Sequence, residues 1–371
     1  MDFAFSQEQE ALRELARTIL SEQVTHDGLK ALEAKQQWFH RAAWKELAKA
    51  KLLGTAIPEE FGGSGLGMIE VAILLEEVGR SVAPVPVLPS LVLGALPVAE
   101  FGTAEQKKRL LPGVVTGDTV LTAALVELGA GDPARPATTA TRDGAGWRLE
   151  GVKTCVPGGD EVTRIIIPAR TADGVGLFLV EPSARGVKLE RQILTNREPH
   201  ARLTLSGVQV ADADVLGDPK AGASNVRWLW ERAVLGYCIV QVGVCDRALQ
   251  MTGEYTTQRE QFDKPIASFQ AVHQRAADAY IDLAAMRLST WEAVWRVAEG
   301  LPVGDAVTIA KFWAAEGGQH VAVAAQHLHG GIGVDVDYPL HRYFIWSKHL
   351  EVMFGSAPEQ LARLGATIAA A

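Results

Sequence analysis

The sequence predicts an α+β protein of three parts: an N-terminal helical domain over residues 1–118, a middle antiparallel β-barrel or sandwich over 119–220, and a C-terminal four-helix α domain over 221–371. Three observations predict it. Apolar residues recur at helical spacing through the first third. Short β-branched runs separated by Gly, Asp and Pro turns fill the middle. The helical period then returns after "GDPKAGAS" and holds to the end. With 371 residues and 48% hydrophobic content, the chain has apolar mass for two or three cores.

The first element is "SQEQEALRELARTILSE", where Ser6 and Gln9 have capping-box spacing ahead of Leu12, Leu15, Ala16, Ile19 and Leu20 on one helical face. Further helices are expected at "RAAWKELAKAKLL", "GMIEVAILLEEVGRSV" and "TAEQKKRLLPGVV", with the Gly-rich "GTAIPEEFGGSGLG" joining the first two. Strands follow at "TVLTAALV", "TTATRDGAGWRLEGVKTCV", "VTRIIIPART", "GVGLFLVEP" and "HARLTLSGVQVADADVL". Four long periodic segments complete the chain, at about 225–259, 269–298, 304–329 and 339–370, each long enough for a bundle helix.

Composition excludes several classes. A formal net charge of -8 with scattered Lys and Arg argues against a nucleic-acid surface. The longest apolar run, around 233–245, is short of the roughly 20 residues of a membrane helix, and the N-terminus lacks a signal-peptide core. Cys155, Cys238 and Cys245 form no C-x-x-C pair and suit a reducing compartment, so a cytoplasmic protein is expected. His327 and His329 have no ligand-spaced Cys or carboxylate beside them, so no metal site is expected. No G-x-G-x-x-G follows a strand and opens a helix, which argues against a Rossmann site; "FGGSG" and "HGGIG" read as tight interhelical turns.

One stretch resists a purely structural reading. "TTQREQFDKPIASFQAVHQRAADAYIDL" is helical at both ends, but its middle is a loop around Pro265 that gathers Arg259, Phe262, Phe269 and Gln270. Together with "HGGIGVDVDYPLHRY", "IPEEFGGSGLG" and "LVELGAGDP", this stretch resembles the acyl-CoA dehydrogenase family, and the α, β, α order extends the likeness over the whole chain. Within the family, "REQFDKPIASFQAV", "YIDL", "WRVAE", "FWAAE" and "HGGIGVDVDYPLHRYF" are most similar to actinobacterial subunits acting on CoA esters of steroid side chains.

The resemblance implies FAD, an acyl-CoA substrate and an electron-transfer flavoprotein as electron acceptor. A carboxylate takes the α-proton of the thioester while the β-hydrogen leaves as hydride to the flavin. It also implies that Arg259 reaches across a subunit interface to the neighbour's pyrophosphate with Gln261 and Phe262 beside it. Phe269 and Gln270 line the adenosine end, and His327, Leu328, His329, Gly330 and Gly331 run along the dinucleotide. The purely structural alternative has Arg259 capping a helix C-terminus and Phe262 packing in a core.

Other positions depart from the family pattern. Phe354 stands where many members have the catalytic glutamate, and Ala233 occupies the other known base position, counted back from Arg247. Neither can take a proton. Glu231 lies two residues from Ala233, about 200° around a helix, and would face the site only across a π-bulge. Cys155 and Pro157 replace a Trp-x-Thr that contacts the flavin ring, and Val126 and Asp132 replace a threonine and a serine that bind the flavin and its phosphate.

Three readings follow. In the first, the chain is a subunit of an α2β2 heterotetramer that supplies flavin-binding residues to a homologous partner carrying the catalytic glutamate. In the second it is a self-sufficient homotetrameric acyl-CoA dehydrogenase using Glu231 or another carboxylate as base. In the third it is a non-catalytic CoA-ester binding or scaffold protein.

Overall fold

The computed structural model describes residues 4–129 and 131–370. Six helices open the chain: α1 (Gln7–Gln23), α2 (His26–Ala34), α3 (Arg41–Lys49), α4 (Met68–Ser81), α5 (Leu96–Phe101) and α6 (Ala104–Thr116). The Ser6 capping box forms as its spacing requires, with Ser6 Oγ accepting from Gln9 N–H at 3.2 Å and Gln9 Oε1 accepting from Ser6 N–H at 2.9 Å. The helical run from Leu88 into α5 escapes sequence reading because Pro89 and Pro97 look like breakers. Pro89 stands in the first turn of this run, where the missing N–H has no intrahelical partner to lose, and Pro97 stands at the junction where the wider turns pass into α5.

Eight strands form the central sheet: β1 (Leu121–Ala123), β2 (Thr139–Asp143), β3 (Gly146–Pro157), β4 (Arg164–Thr171), β5 (Gly174–Val180), β6 (Val187–Ile193), β7 (Pro199–Ala211) and β8 (Val215–Leu216). Their order is β6-β7-β3-β2-β4-β5-β8, with β1 added against β4. The sheet is mixed: β1 and β2 each pair parallel with β4, whereas the other pairings follow the expected antiparallel pattern. Sequence reading passes over β6 because "VKLERQI" is charged and largely exposed, so it lacks the apolar alternation of its neighbours.

The C-terminal part holds α7 (Gly222–Gln258), a short hairpin of β9 (Glu260–Gln261) and β10 (Lys264–Pro265), α8 (Gln270–Ala298) and α9 (Gly304–His329). The expected fourth bundle helix is instead two, α10 (Leu340–Val352) and α11 (Ala357–Ala370), broken at Met353–Ser356. Phe354 there adopts φ +58° and Gly355 φ +102°, so the backbone leaves helical space for two residues.

The chain packs as two compact units. One runs to Ala31 and takes in Ala72–Ala83 and Val234 onward; the other comprises Leu32–Val71 and Pro84–Ala233. In the first unit α4 crosses α7 so closely that a Cβ on Gly79 would lie 2.2 Å from Val240 O, and one on Gly243 would lie 2.0 Å from Glu76 O. Around that crossing Glu76 takes hydrogen bonds from Arg287 (3.1 Å) and Trp291 Nε1 (3.2 Å), and Glu77 binds Arg17 at 2.7 Å. In the second unit the core lies along β3, β4 and β5, where Leu149, Ile165, Ile167, Leu177 and Phe178 are fully buried.

Candidate functional site

α7 stops at Gln258, and Arg259 turns its backbone into the hairpin: its N–H donates to Tyr255 O at 2.8 Å and its carbonyl accepts from Ile266 N–H at 2.8 Å. Lys264 pairs with Gln261 across the ladder, leaving Phe262 and Asp263 as a two-residue loop. Both loop residues have positive φ, +55° and +63°, as a two-residue type I′ turn demands. Aspartate tolerates that region; phenylalanine does so only under strain.

The turn displays its side chains. Phe262 is 86% exposed, and Arg259, Gln261 and Gln270 are also exposed. The Phe269 ring meets Phe262 edge-on with centroids 6.1 Å apart, and the Lys264 ammonium stands 4.4 Å above the Phe269 ring. Phe269 is the N-cap of α8 and offers no side-chain acceptor, so no side chain caps the first-turn N–H groups of α8. Arg259 forms no ion pair among the described residues. Phe262, on the exposed turn, is not core packing.

The end of α9 splits the expected dinucleotide segment in two. His327, Gly330 and Gly331 are exposed, while Leu328 and His329 are buried. Gly330 takes φ +64°, and a Cβ on Gly331 would meet nothing within 4 Å, so packing within this chain does not explain that glycine. The His329 ring turns inward. Its Nδ1 lies 2.8 Å from Ala325 O, its Nε2 lies 3.2 Å from the Tyr338 hydroxyl, and Tyr255 stacks on it at 4.5 Å and 18°.

The two positions expected for a base hold apolar groups. Ala233 has no exposed surface. Phe354 meets Tyr237 edge-on at 5.4 Å, and its carbonyl and that of Gly355 each accept from the buried Gln360 amide at 3.1 Å. The buried Lys311 ammonium caps the end of α10, donating to Leu350 O at 3.0 Å and Glu351 O at 2.9 Å. Burial pushes its pKa down to about 8. α7 stays α-helical past Glu231, with no π-bulge to bring that side chain to the face of Ala233. Burial raises the Glu231 pKa, while Arg232 and Arg227 pull it back.

In the second unit, the positions expected to have lost flavin contacts divide: Val126 bridges to Thr154 beside Cys155 and Pro157 of β3, while Asp132 lies in a separate loop. Thr154 N–H donates to Val126 O at 2.9 Å, Cys155 takes φ +49°, and Pro157 is buried opposite His200 of β7. The Gln192 side chain closes over them: its Oε1 accepts from Cys155 N–H at 2.8 Å, and its Nε2 donates to the Thr154 hydroxyl at 3.0 Å. Asp132 is spent locally, accepting from Ala134 N–H at 2.9 Å.

Sequence reasoning missed two neighbours of this region. Glu127 and Lys153 form a buried ion pair at 2.7 Å, and Glu127 also accepts from Ala137 N–H (2.6 Å) and the Thr138 N–H and hydroxyl (3.0 and 2.5 Å). Burial raises the Glu127 pKa, but the Lys153 charge and these hydrogen bonds overcome it and hold the carboxylate at about 2. Glu198 and His200 are the second pair. Burial pushes Glu198 up to about 7, against a hydrogen bond from Asn196, and pushes His200 down to about 4. Glu127 had a sequence signal in the "LVELGAGDP" motif; Glu198 had none.

Comparison with known proteins gives this arrangement a family. The model of the acyl-CoA dehydrogenase N-terminal domain matches residues 6–118, and that of the C-terminal domain matches residues 222–369. The chain belongs to the acyl-CoA dehydrogenase family. The acyl-CoA dehydrogenase FadE27 of Mycobacterium tuberculosis is 39% identical over 100% of this chain and 99% of its own length; FadE28 of the same organism is 35% identical over 99% and 98%. Among solved structures, the ChsE4-ChsE5 complex from Mycobacterium tuberculosis aligns with a TM-score of 0.94 at 40% identity, covering 100% of this chain and 99% of that one. The Tcur3481-Tcur3483 steroid ACAD aligns at 0.92 and 46% identity, covering 98% of each.

Acyl-CoA dehydrogenases are FAD-binding flavoproteins and oxidoreductases. The exposed groups fit that cofactor. Arg259 offers a guanidinium fork for a pyrophosphate, and Gly331 leaves open space where backbone can approach a ligand. No groups of three or more His, Cys, Asp or Glu able to hold a metal occur among the described residues, and none of its helices is long and apolar enough to cross a membrane.

Proposed function

We propose that this chain is one subunit of a heterotetrameric acyl-CoA dehydrogenase and presents Arg259, Gln261, Phe262, Phe269 and Gln270 to the FAD of a homologous partner that carries the catalytic glutamate. One observation carries the reading: Arg259 and the strained Phe262 stand exposed on the hairpin, with Arg259 forming no ion pair among the described residues, while the Cys155 N–H is already bonded to Gln192. Likeness to the two-protein ChsE4-ChsE5 and Tcur3481-Tcur3483 structures supports the assembly, and the steroid ACAD at 46% identity supports a steroid side-chain CoA ester as substrate.

When bound, the flavin supplies the hydride acceptor for the β-hydrogen, while the partner's carboxylate takes the α-proton and the carbon–carbon double bond forms between those carbons. This chain's share is binding. Arg259 would hold the pyrophosphate with Gln261 and Phe262 beside it, Phe269 and Gln270 would line the adenosine end, and the segment His327 to Gly331 would run along the dinucleotide, its exposed members His327, Gly330 and Gly331 facing outward. An electron-transfer flavoprotein completes the cycle as acceptor. The test is flavin stoichiometry, in the purified chain alone and with its partner. One FAD per pair of unlike chains is expected; one FAD per chain in a homotetramer would sink the proposal.

The raised pKa of Glu231 favours a second reading, in which that carboxyl is the base of a self-sufficient enzyme. Glu231→Gln separates the two through the rate of the isolated chain.

A further inference from the structure

Tyr255, His329 and Tyr338 form a closed aromatic unit beneath the Arg259 hairpin. We infer that the Tyr338–His329–Tyr255 stack is a positioning device that fixes Arg259 for flavin binding, an inference that rests on the cofactor-presenting role proposed above. His329 is 4% exposed, and its bonds leave little freedom of tautomer. A carbonyl oxygen 2.8 Å from Nδ1 requires that nitrogen to carry the proton, so Nε2 is the acceptor and the Tyr338 hydroxyl is its donor at 3.2 Å. The ring so oriented lies nearly parallel to Tyr255, 4.5 Å away and 18° inclined, and Tyr338 closes the group edge-on to Tyr255 at 6.4 Å.

The link to the hairpin is one hydrogen bond long. Tyr255 O accepts from Arg259 N–H at 2.8 Å, so the residue stacked on His329 sets the last turn of α7, from which Arg259 departs. The same imidazole belongs to the segment whose exposed members, His327, Gly330 and Gly331, complete the presented surface. One buried ring thus ties both halves of that surface together. Tyr338 is itself anchored by its N–H to Asp335 O at 3.1 Å, and Asp337 of the same loop is paired with Lys30.

The device predicts a particular non-additivity. In the complex with its partner, FAD affinity is measured by flavin fluorescence for Tyr338→Phe, for His329→Gln, and for each in an Arg259→Ala background. Loss of one oriented hydrogen bond should weaken FAD binding by about 2- to 10-fold in the Arg259 protein. In the Arg259→Ala background both effects should vanish, because nothing remains to position. Melting temperatures of all variants are recorded alongside. Unchanged FAD affinity in Tyr338→Phe and His329→Gln overturns the inference. So does an equal loss in both backgrounds, which marks a general structural role. If Arg259→Ala alone leaves flavin binding intact, the cofactor-presenting role itself fails. If it lowers binding while the stack variants add independently, only the positioning inference fails.

Discussion

The hairpin at Arg259 and the strand at Cys155 both occupy places where the family's sequence pattern puts flavin contacts, and they treat their polar groups in opposite ways. At the hairpin, Arg259 has no ion-pair partner among the described residues and Phe262 is 86% exposed on a strained turn. At the strand, Gln192 takes the Cys155 N–H and the Thr154 hydroxyl, Asp132 bonds its own loop, and Pro157 has no N–H to give. At the hairpin the polar side chains face outward, whereas at the strand they are bonded within the chain. The contrast also separates chemistry from architecture. The Glu127–Lys153 pair stays buried and ionised beside the altered strand, because its work is to tie the loop to the sheet.

The largest expected effect tests that last point. Lys153→Met leaves the Glu127 carboxylate buried without its cation and should cost about 3–5 kcal/mol in urea unfolding, with FAD affinity of the folded complex unchanged. Coupled loss of flavin would break the contrast. Next, Arg259→Ala should weaken FAD binding to the complex by about 10- to 150-fold, the range for a charge-assisted bond, while the melting temperature stays put because the exposed Arg259 side chain forms no ion pair among the described residues.

Glu231→Gln should change the turnover of the complex by less than about threefold. A general base would cost about a hundredfold or more, and that outcome would move the base into this chain. A pH signature sharpens the comparison further. Folded Glu198 titrates near 7, above its ordinary value of 4.5, so its contribution to stability is full below pH 4.5 and is lost as pH rises through 7. Glu198→Gln should therefore raise the melting temperature relative to the parent at pH 8 and have little effect at pH 4, as a calorimetric pH series would read.

Much of the fold was legible because local patterns were consistent with it. The Ser6 capping box formed as spaced, the β-branched runs became strands, and long helices filled the C-terminal third. The break at Met353–Ser356 was not legible, because it rests on the buried Gln360 amide, which binds the Phe354 and Gly355 carbonyls, and on Lys311, far back in the chain, which binds the last carbonyls of α10 at Leu350 and Glu351. β6 was missed because its residues carry a solvated face rather than a core.

At the candidate site, residue identity settled what cannot happen. Phenylalanine at 354 and alanine at 233 bear no proton-accepting group in any conformation, and proline at 157 has no N–H to donate. Orientation was decided only in three dimensions. Sequence placed His327 and His329 in one dinucleotide segment, but two residues on a helix point about 200° apart, so His327 emerges while His329 turns inward onto Tyr255. Likewise the sequence marked Arg259 as an expected contact and Cys155 as a departure from one. Which of them still has a free donor depended on where Gln192 and the hairpin turn came to lie, and that is set by packing between residues far apart in the chain.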